Sequence, residues 1–196
     1  MDVGGKITGN SNVFNKSGAA INIESSGDIL LEGNGTTGAI ITSNQTGGSG
    51  GGAKGGKITI HSDTNITTEA GSIISSNGSV NPAGEIDITA NVAIDIDGNV
   101  LSESGVSGTG GLNQKPGGGP IFISAGCNFT CEDHCTISSK GADPGADLVH
   151  IDAGCDVLIV GLVQSTATGG ACTSFNSDFL RRRFPTRKGL KRGSLR

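Results

Sequence analysis

Four acidic residues, Glu32, Glu69, Asp97 and Glu132, recur at one place in an internal repeat, eleven residues after the start of four apolar-x-apolar triplets. A fifth repeat carries Val160 at that place. Stacked carboxylates could bind Ca²⁺ weakly, a cation that takes roughly six to eight oxygen ligands, or could act as acid and base on a polysaccharide. Acidic residues beside Gly/Asn turns are equally well read as solvated punctuation. A second group with chemical potential is Cys127, Cys131 and Cys135 with His134 among them. The spacing of four is not that of a zinc knuckle. In the repeat register Cys131 aligns with Leu31 and Ile96, Cys135 with Val100 and Val163, and Cys127 with Val92, which makes them small core-side hydrophobes. Cys127 and Cys155 both lie six residues into adjacent repeats, close enough for a disulfide if the repeats stack. Buried thiols, a Cys127–Cys155 bridge and zinc stay open, and the odd total of 5 Cys leaves at least one thiol free.

Other motifs fail on context. Gly33 to Gly38 fits G-x-G-x-x-G and Gly51 to Lys57 fits G-x-x-x-x-G-K, but each leads into a strand pattern, where a phosphate site needs a helix N-terminus. The run Asp95 to Asn99 resembles the start of a calcium loop, yet Val100 and Val106 stand where an EF-hand needs Gly and Glu. His61, His134 and His150 fall at different repeat offsets and form no constellation. No Arg precedes Arg181, so the body has no guanidinium to neutralise a uronate. No catalytic residue is therefore named, and the sequons at Asn15, Asn34, Asn44, Asn65, Asn77 and Asn128 are what an Asn/Ser/Thr-rich chain produces freely.

The elements that position these residues come from the repeat. The triplets are Ile21/Ile23, Ile58/Ile60, Ile86/Ile88, Ile121/Ile123 and Val149/Ile151, starting 37, 28, 35 and 28 residues apart. Eight residues on lie Ile29, Ile66, Ile94, Phe129 and Val157; ten on lie Leu31, Thr68, Ile96, Cys131 and Ile159. A third cluster, at variable offset, is Ile40, Ile73, Val100, Ile137 and Val163. Each unit thus reads as three short strands of alternating pattern, punctuated by Gly, Asn, Asp and Ser. With 35 Gly, no Trp, no Tyr and no helical apolar stripe, a compact aromatic core and helices are excluded. One unit cannot bury an apolar face alone, but stacked units make three parallel sheets round a narrow core. The expected fold is all-β, a parallel β-helix of about five three-strand coils, with length variation confined to turns.

The stretch Gly55 to Gly78, GGKITIHSDTNITTEAGSIISSNG, and its echo Ala83 to Gly105 resemble the coils of filamentous-haemagglutinin-like bacterial surface proteins, within the broader pectin-lyase-like fold. The resemblance covers about residues 20 to 170 and rests on the GG-x-I-x-I opening. It implies right-handed coils and a secreted or surface-exposed adhesin or filament, a place at the cell surface or outside the cell, and surface carbohydrate or a receptor on a host or neighbouring cell as partner. Some relatives with the pectin-lyase-like fold cut acidic polysaccharides, so a lyase or hydrolase is the rival expectation.

Charge divides the chain. Residues 1–172 hold six Lys, no Arg and 17 acidic residues, a net of about −11, whereas 173–196 hold eight Lys or Arg against Asp178, about +7. The expected organisation is a β-helix domain over 1–172 and a basic, disordered tail over 173–196. The tail could attract nucleic acid by charge, but it carries no recognition fold, and nucleic acid is the disfavoured partner. No stretch approaches the roughly 18 apolar residues of a membrane helix. The first 30 residues show no basic start followed by an apolar run, which fits a segment of a longer protein.

Overall fold

The computed structural model describes residues 2–13, 15–47, 53–79, 82–105, 117–141 and 148–167. The boundary expected near Cys172 and the tail 173–196 lie outside the described residues. The described residues form seventeen strands. They are β1 (Asp2–Val3), β2 (Lys6–Thr8), β3 (Ile21–Ser25), β4 (Ile29–Leu31), β5 (Ile40–Thr42), β6 (Ile58–Ser62), β7 (Asn65–Thr68), β8 (Ile73–Ser75) and β9 (Ile86–Ala90). Then follow β10 (Ala93–Ile96), β11 (Asn99–Glu103), β12 (Ile121–Ala125), β13 (Asn128–Cys131), β14 (Thr136–Gly141), β15 (Val149–Ala153), β16 (Val157–Ile159) and β17 (Leu162–Ala167). No helix occurs among the described residues.

Every third strand stacks in parallel. One sheet is β3-β6-β9-β12-β15, a second β1-β4-β7-β10-β13-β16, and a third β2-β5-β8-β11-β14-β17. The chain is a parallel β-helix. Five three-strand coils are preceded by a partial coil, β1 and β2, which offers no apolar-x-apolar triplet and so escapes a search for that repeat.

The register is the one the triplets dictate. Ile21, Ile58, Ile86, Ile121 and Val149 form one inward column, and Ile29, Ile66, Ile94, Phe129 and Val157 another. Inward residues of the middle coils, such as Ile60, Ile88, Ile96 and Ile123, are wholly buried. β-branched side chains suit such stacks, because their stiff χ1 packs well on a pleated face. The third inward column is shifted by one residue in two coils. Ile41 and Ile74, not Ile40 and Ile73, stack on Val100, Ile137 and Val163, since either member of an Ile-Ile pair satisfies the pattern.

A seam closes each of the first four coils. Ser43, Ser76, Ser102 and Ser139 lie in one fully buried column, two residues past the last inward aliphatic residue. Their hydroxyls donate to the carbonyls of Ala19, Gly56, Gly84 and Gly119, each two residues before the triplet that opens the same coil. The carbonyls of Ser43, Ser76 and Ser102 accept from the N–H groups of Gly56, Gly84 and Gly119 in the next coil. A Cβ on any of these three glycines would strike the serine hydroxyl below it. The GG-x-I-x-I opening is thus required by the serine that ends the preceding coil.

Candidate functional site

The acidic column lies at the corner where the second sheet turns into the third. Its backbone continues the ladder: the N–H groups of Glu69, Asp97 and Glu132 donate to Leu31, Thr68 and Ile96 carbonyls at 2.9, 2.9 and 2.8 Å. Strand alternation turns the side chains away from the core, with Glu32 exposed and Glu69, Asp97 and Glu132 half-buried. Two of the carboxylates are used by the fold. Glu69 Oε2 accepts the Gly33 N–H at 2.8 Å, and Asp97 Oδ1 accepts the His134 N–H at 3.1 Å.

His134 joins this corner, although its repeat offset differs from that of Asp97. Its Nδ1 lies 3.2 Å from Asp97 Oδ1 and 3.0 Å from Asp133 Oδ1, and the three side chains offer ligand atoms within 4.8 Å of one another. The cause is corner length. Two residues, Asp97 and Gly98, separate β10 from β11, whereas four, 132–135, separate β13 from β14. The extra pair brings Asp133 and His134 against the coil below, where counting offsets cannot find them. One imidazole and two carboxylates fall short of the oxygen set Ca²⁺ prefers. The group is also open to solvent: the His134 and Asp133 side chains are 61% and 72% exposed.

A disulfide spans this longer corner, Cys131–Cys135, with Cα atoms 5.4 Å apart. A second, Cys127–Cys155, joins adjacent coils at 4.5 Å. Cys131 is buried in the core column. Cys127 corrects its expected place. It stacks on Val92, whose carbonyl accepts its N–H, but that column lies at an outer corner and Val92 is exposed. Cys135 is out of register with Val100, which pairs Ile137, but it is buried in the core as expected. The bonds use four of the 5 Cys, and Cys172 lies outside the described residues.

The outward face of the second sheet carries Asp28 and Asp95 along a shallow concavity with Leu30, Asn65 and Thr67. Asp28 Oδ1 accepts from Thr64 Oγ1 at 2.6 Å and Asn65 Nδ2 at 2.9 Å. The Thr64 bond, then those from Asn65, hold its carboxyl below the ordinary 3.8. Asp95 is the opposite case. Burial pushes its carboxyl up, the charge of Asp97 adds to the effect, and Oδ1 is buried without a hydrogen-bond partner.

The phosphate-loop resemblances are accounted for in the same way. The N–H groups of Asn34 and Gly35 donate to the Thr37 and Ala70 carbonyls, those of Thr36 and Thr37 donate to Asn34 Oδ1, and Glu69 holds that of Gly33. A loop whose donors are taken has none for a phosphate. Lys57, at the end of the second resemblance, is paired with Glu85 at 2.7 Å, and that bond raises its pKa. A further ladder went unseen in the sequence: Asn10, Asn44 and Asn77 each accept through Oδ1 the backbone N–H of the next coil, from Asn44, Asn77 and Glu103 at 2.7, 2.7 and 2.8 Å.

The fold and corner define a parallel β-helix solenoid with outward polar ladders. Comparison with protein-family models, curated proteins and solved structures finds no match. Among the described residues no helix is long and apolar enough to cross a membrane.

Proposed function

We propose that this protein is a structural or adhesive β-helix segment of a secreted or cell-surface protein, without enzymatic activity. The observation that carries the reading is the Cys127–Cys155 bond, which joins two coils rather than two distant parts of the chain. Such bonds persist in oxidising surroundings outside the cytosol, and one between successive coils stiffens a rod against peeling. The acidic corner supports the same reading, because Glu69 and Asp97 hold turn backbone of neighbouring segments. Surface carbohydrate or a cell-surface receptor is the partner class that suits a polar, ladder-covered rod. Beads coated with the protein are expected to retain surface carbohydrate or intact cells without shortening the carbohydrate chains. Depolymerisation that disappears with Asp97→Asn would instead assign the lyase or hydrolase alternative.

A further inference from the structure

At the longer corner Asp97, Asp133 and His134 each offer a ligand atom, all within 4.8 Å of one another. Two carboxylates converge on one ring nitrogen: His134 Nδ1 lies 3.2 Å from Asp97 Oδ1 and 3.0 Å from Asp133 Oδ1. In either charge state Nδ1 carries at most one proton, so a hydrogen bond satisfies only one of the two oxygens well. A metal ion satisfies both. Zinc, held at about 2.0–2.1 Å by nitrogen and oxygen in a tetrahedron, sets its ligands about 3.3 Å apart, close to the spacing at this corner. The thiols on either side of His134 are not available to it, because Cys131 and Cys135 are bonded to each other.

The ligands are fixed from both coils. The Cys135 N–H donates to the Glu132 carbonyl at 3.1 Å, closing a turn with Asp133 and His134 at its centre, and the Cys131–Cys135 bond ties the ends of the corner. In the coil below, the Asp97 N–H donates to the Thr68 carbonyl at 2.9 Å and the Gly98 N–H to Thr68 Oγ1 at 3.2 Å. The His134 N–H on Asp97 Oδ1 registers one half against the other. Charge points the same way. Glu132 follows Asp97 in the acidic column, and among the described residues the lysine ion pairs lie elsewhere, from Lys57 to Glu85 and Asp87. A divalent cation supplies the positive charge that carboxylates at this spacing lack. The imidazole selects the ion, since Mg²⁺ and Ca²⁺ take oxygen ligands whereas imidazole suits Zn²⁺, Cu²⁺ and Ni²⁺. The His134 and Asp133 side chains are largely exposed, which leaves the remaining position to water, as in zinc sites with three protein ligands.

We propose that Asp97, Asp133 and His134 form a site for a divalent cation of the zinc class, held by His134 Nδ1 and one oxygen of each carboxylate, that clamps the third complete coil to the fourth. The test is long-range proton–nitrogen NMR of the imidazole rings of the full chain during titration with ZnCl₂. One equivalent is expected to shift His134 Nδ1 and leave Nε2 protonated, with His61 and His150 unmoved. Asp133→Asn should weaken binding at least about tenfold, since even an outer-shell partner of a metal ligand is worth that much. CaCl₂ at the same concentration should leave His134 in place. The melting temperature should rise with ZnCl₂ in the parent but not in His134→Gln, because an ion bound to the folded chain alone stabilises it. Both substitutions fall on exposed side chains, and far-ultraviolet circular dichroism without metal reports that the variants are folded. A His134 ring unmoved by excess ZnCl₂ overturns the proposal, wherever else on the chain zinc is taken up. So does a shift that Asp133→Asn leaves at parental affinity, which assigns the binding to a lone surface histidine.

Discussion

Gly84→Ala tests the seam directly. An ideal Cβ at residue 84 lies 2.6 Å from the carbonyl carbon of Gly55, and closer still to the Gly55 oxygen and the Ser76 hydroxyl. Carbon atoms in contact prefer about 3.5–4.0 Å, so backbone of two coils must part by about 1 Å. Overpacking of this sort costs about 1–3 kcal/mol. Displacing Ser76 also strains its 2.5 Å bond to Gly56 O, a loss of about 1 kcal/mol. Gly84 is not among the positive-φ glycines, so replacing it returns about 0.4–1 kcal/mol through the unfolded chain. The expected net destabilisation is about 2–3 kcal/mol. Gly27→Ala is the control, since nothing lies within 4 Å of its added Cβ, and it should match the parent or gain up to about 1 kcal/mol. Urea unfolding followed by far-ultraviolet circular dichroism is the assay, because the protein has no Trp or Tyr to report by fluorescence. Should Gly84→Ala fall within about 0.5 kcal/mol of the parent, the seam is not the close contact described, and glycine at the coil opening needs another reason.

Ile94→Asp, at a position 1% exposed between Ile66 and Phe129, is expected to unfold the body at a cost of several kcal/mol, whereas Asp95→Ile leaves it folded; equal melting temperatures for Ile94→Asp and parent would reverse the faces. Asp95 binds its proton more tightly folded than unfolded, so its contribution is present at low pH and is lost as pH rises from the ordinary 3.8 through the raised value, an effect that Asp95→Asn should remove from the pH profile of melting. Asp28 has the opposite sign: its lowered pKa gives stability above 3.8 that disappears as pH falls through the folded value, and Asp28→Asn should flatten that acid limb. Reduction should lower stability chiefly through Cys127–Cys155, whose separation of 28 residues corresponds to about 3.5 kcal/mol of loop entropy, against about 2 for Cys131–Cys135; Cys155→Ser melting like the parent would contradict this. Melting in NaCl and CaCl₂ at matched ionic strength separates screening of the acidic corner, about 1 kcal/mol or less per pair, from a Ca²⁺ site, which would show as a calcium excess abolished by Asp97→Asn.

What the sequence reveals about this fold follows from what repetition can encode. Inward columns at fixed offsets, such as Ile66, Ile94 and Phe129, are visible because each strand keeps its parity across coils. The third strand is less determined: corners of different length precede it, and Ile40-Ile41 and Ile73-Ile74 satisfy either parity. The partial coil of β1 and β2 has too few apolar residues to declare itself. At the corner, offsets place Glu32, Glu69, Asp97 and Glu132 together but miss His134 and Asp133, because two extra residues bring them back onto Asp97. The pair Cys131 and Cys135 flanking that insertion was the available signal; both are buried in the core as expected, and what that reading left out is the bond between them. Serine in a serine-rich chain carried no signal for the seam, which only the positions of Ala19, Gly56, Gly84 and Gly119 disclose.

The seam has a genetic consequence. In the middle coils a repeat opens with the glycine that its predecessor's serine requires and ends with the serine that will face its successor's glycine. A stretch of DNA covering one such period, 28 residues between the second and third triplets, therefore carries both halves of the joint. Copied in tandem, it would encode a rung that fits above and below without compensating substitutions elsewhere. Length in such a protein can change by unequal exchange between repeats, each event adding or removing one rung of roughly 4.8 Å, while the residues displayed on the outer corners diverge independently of the joint.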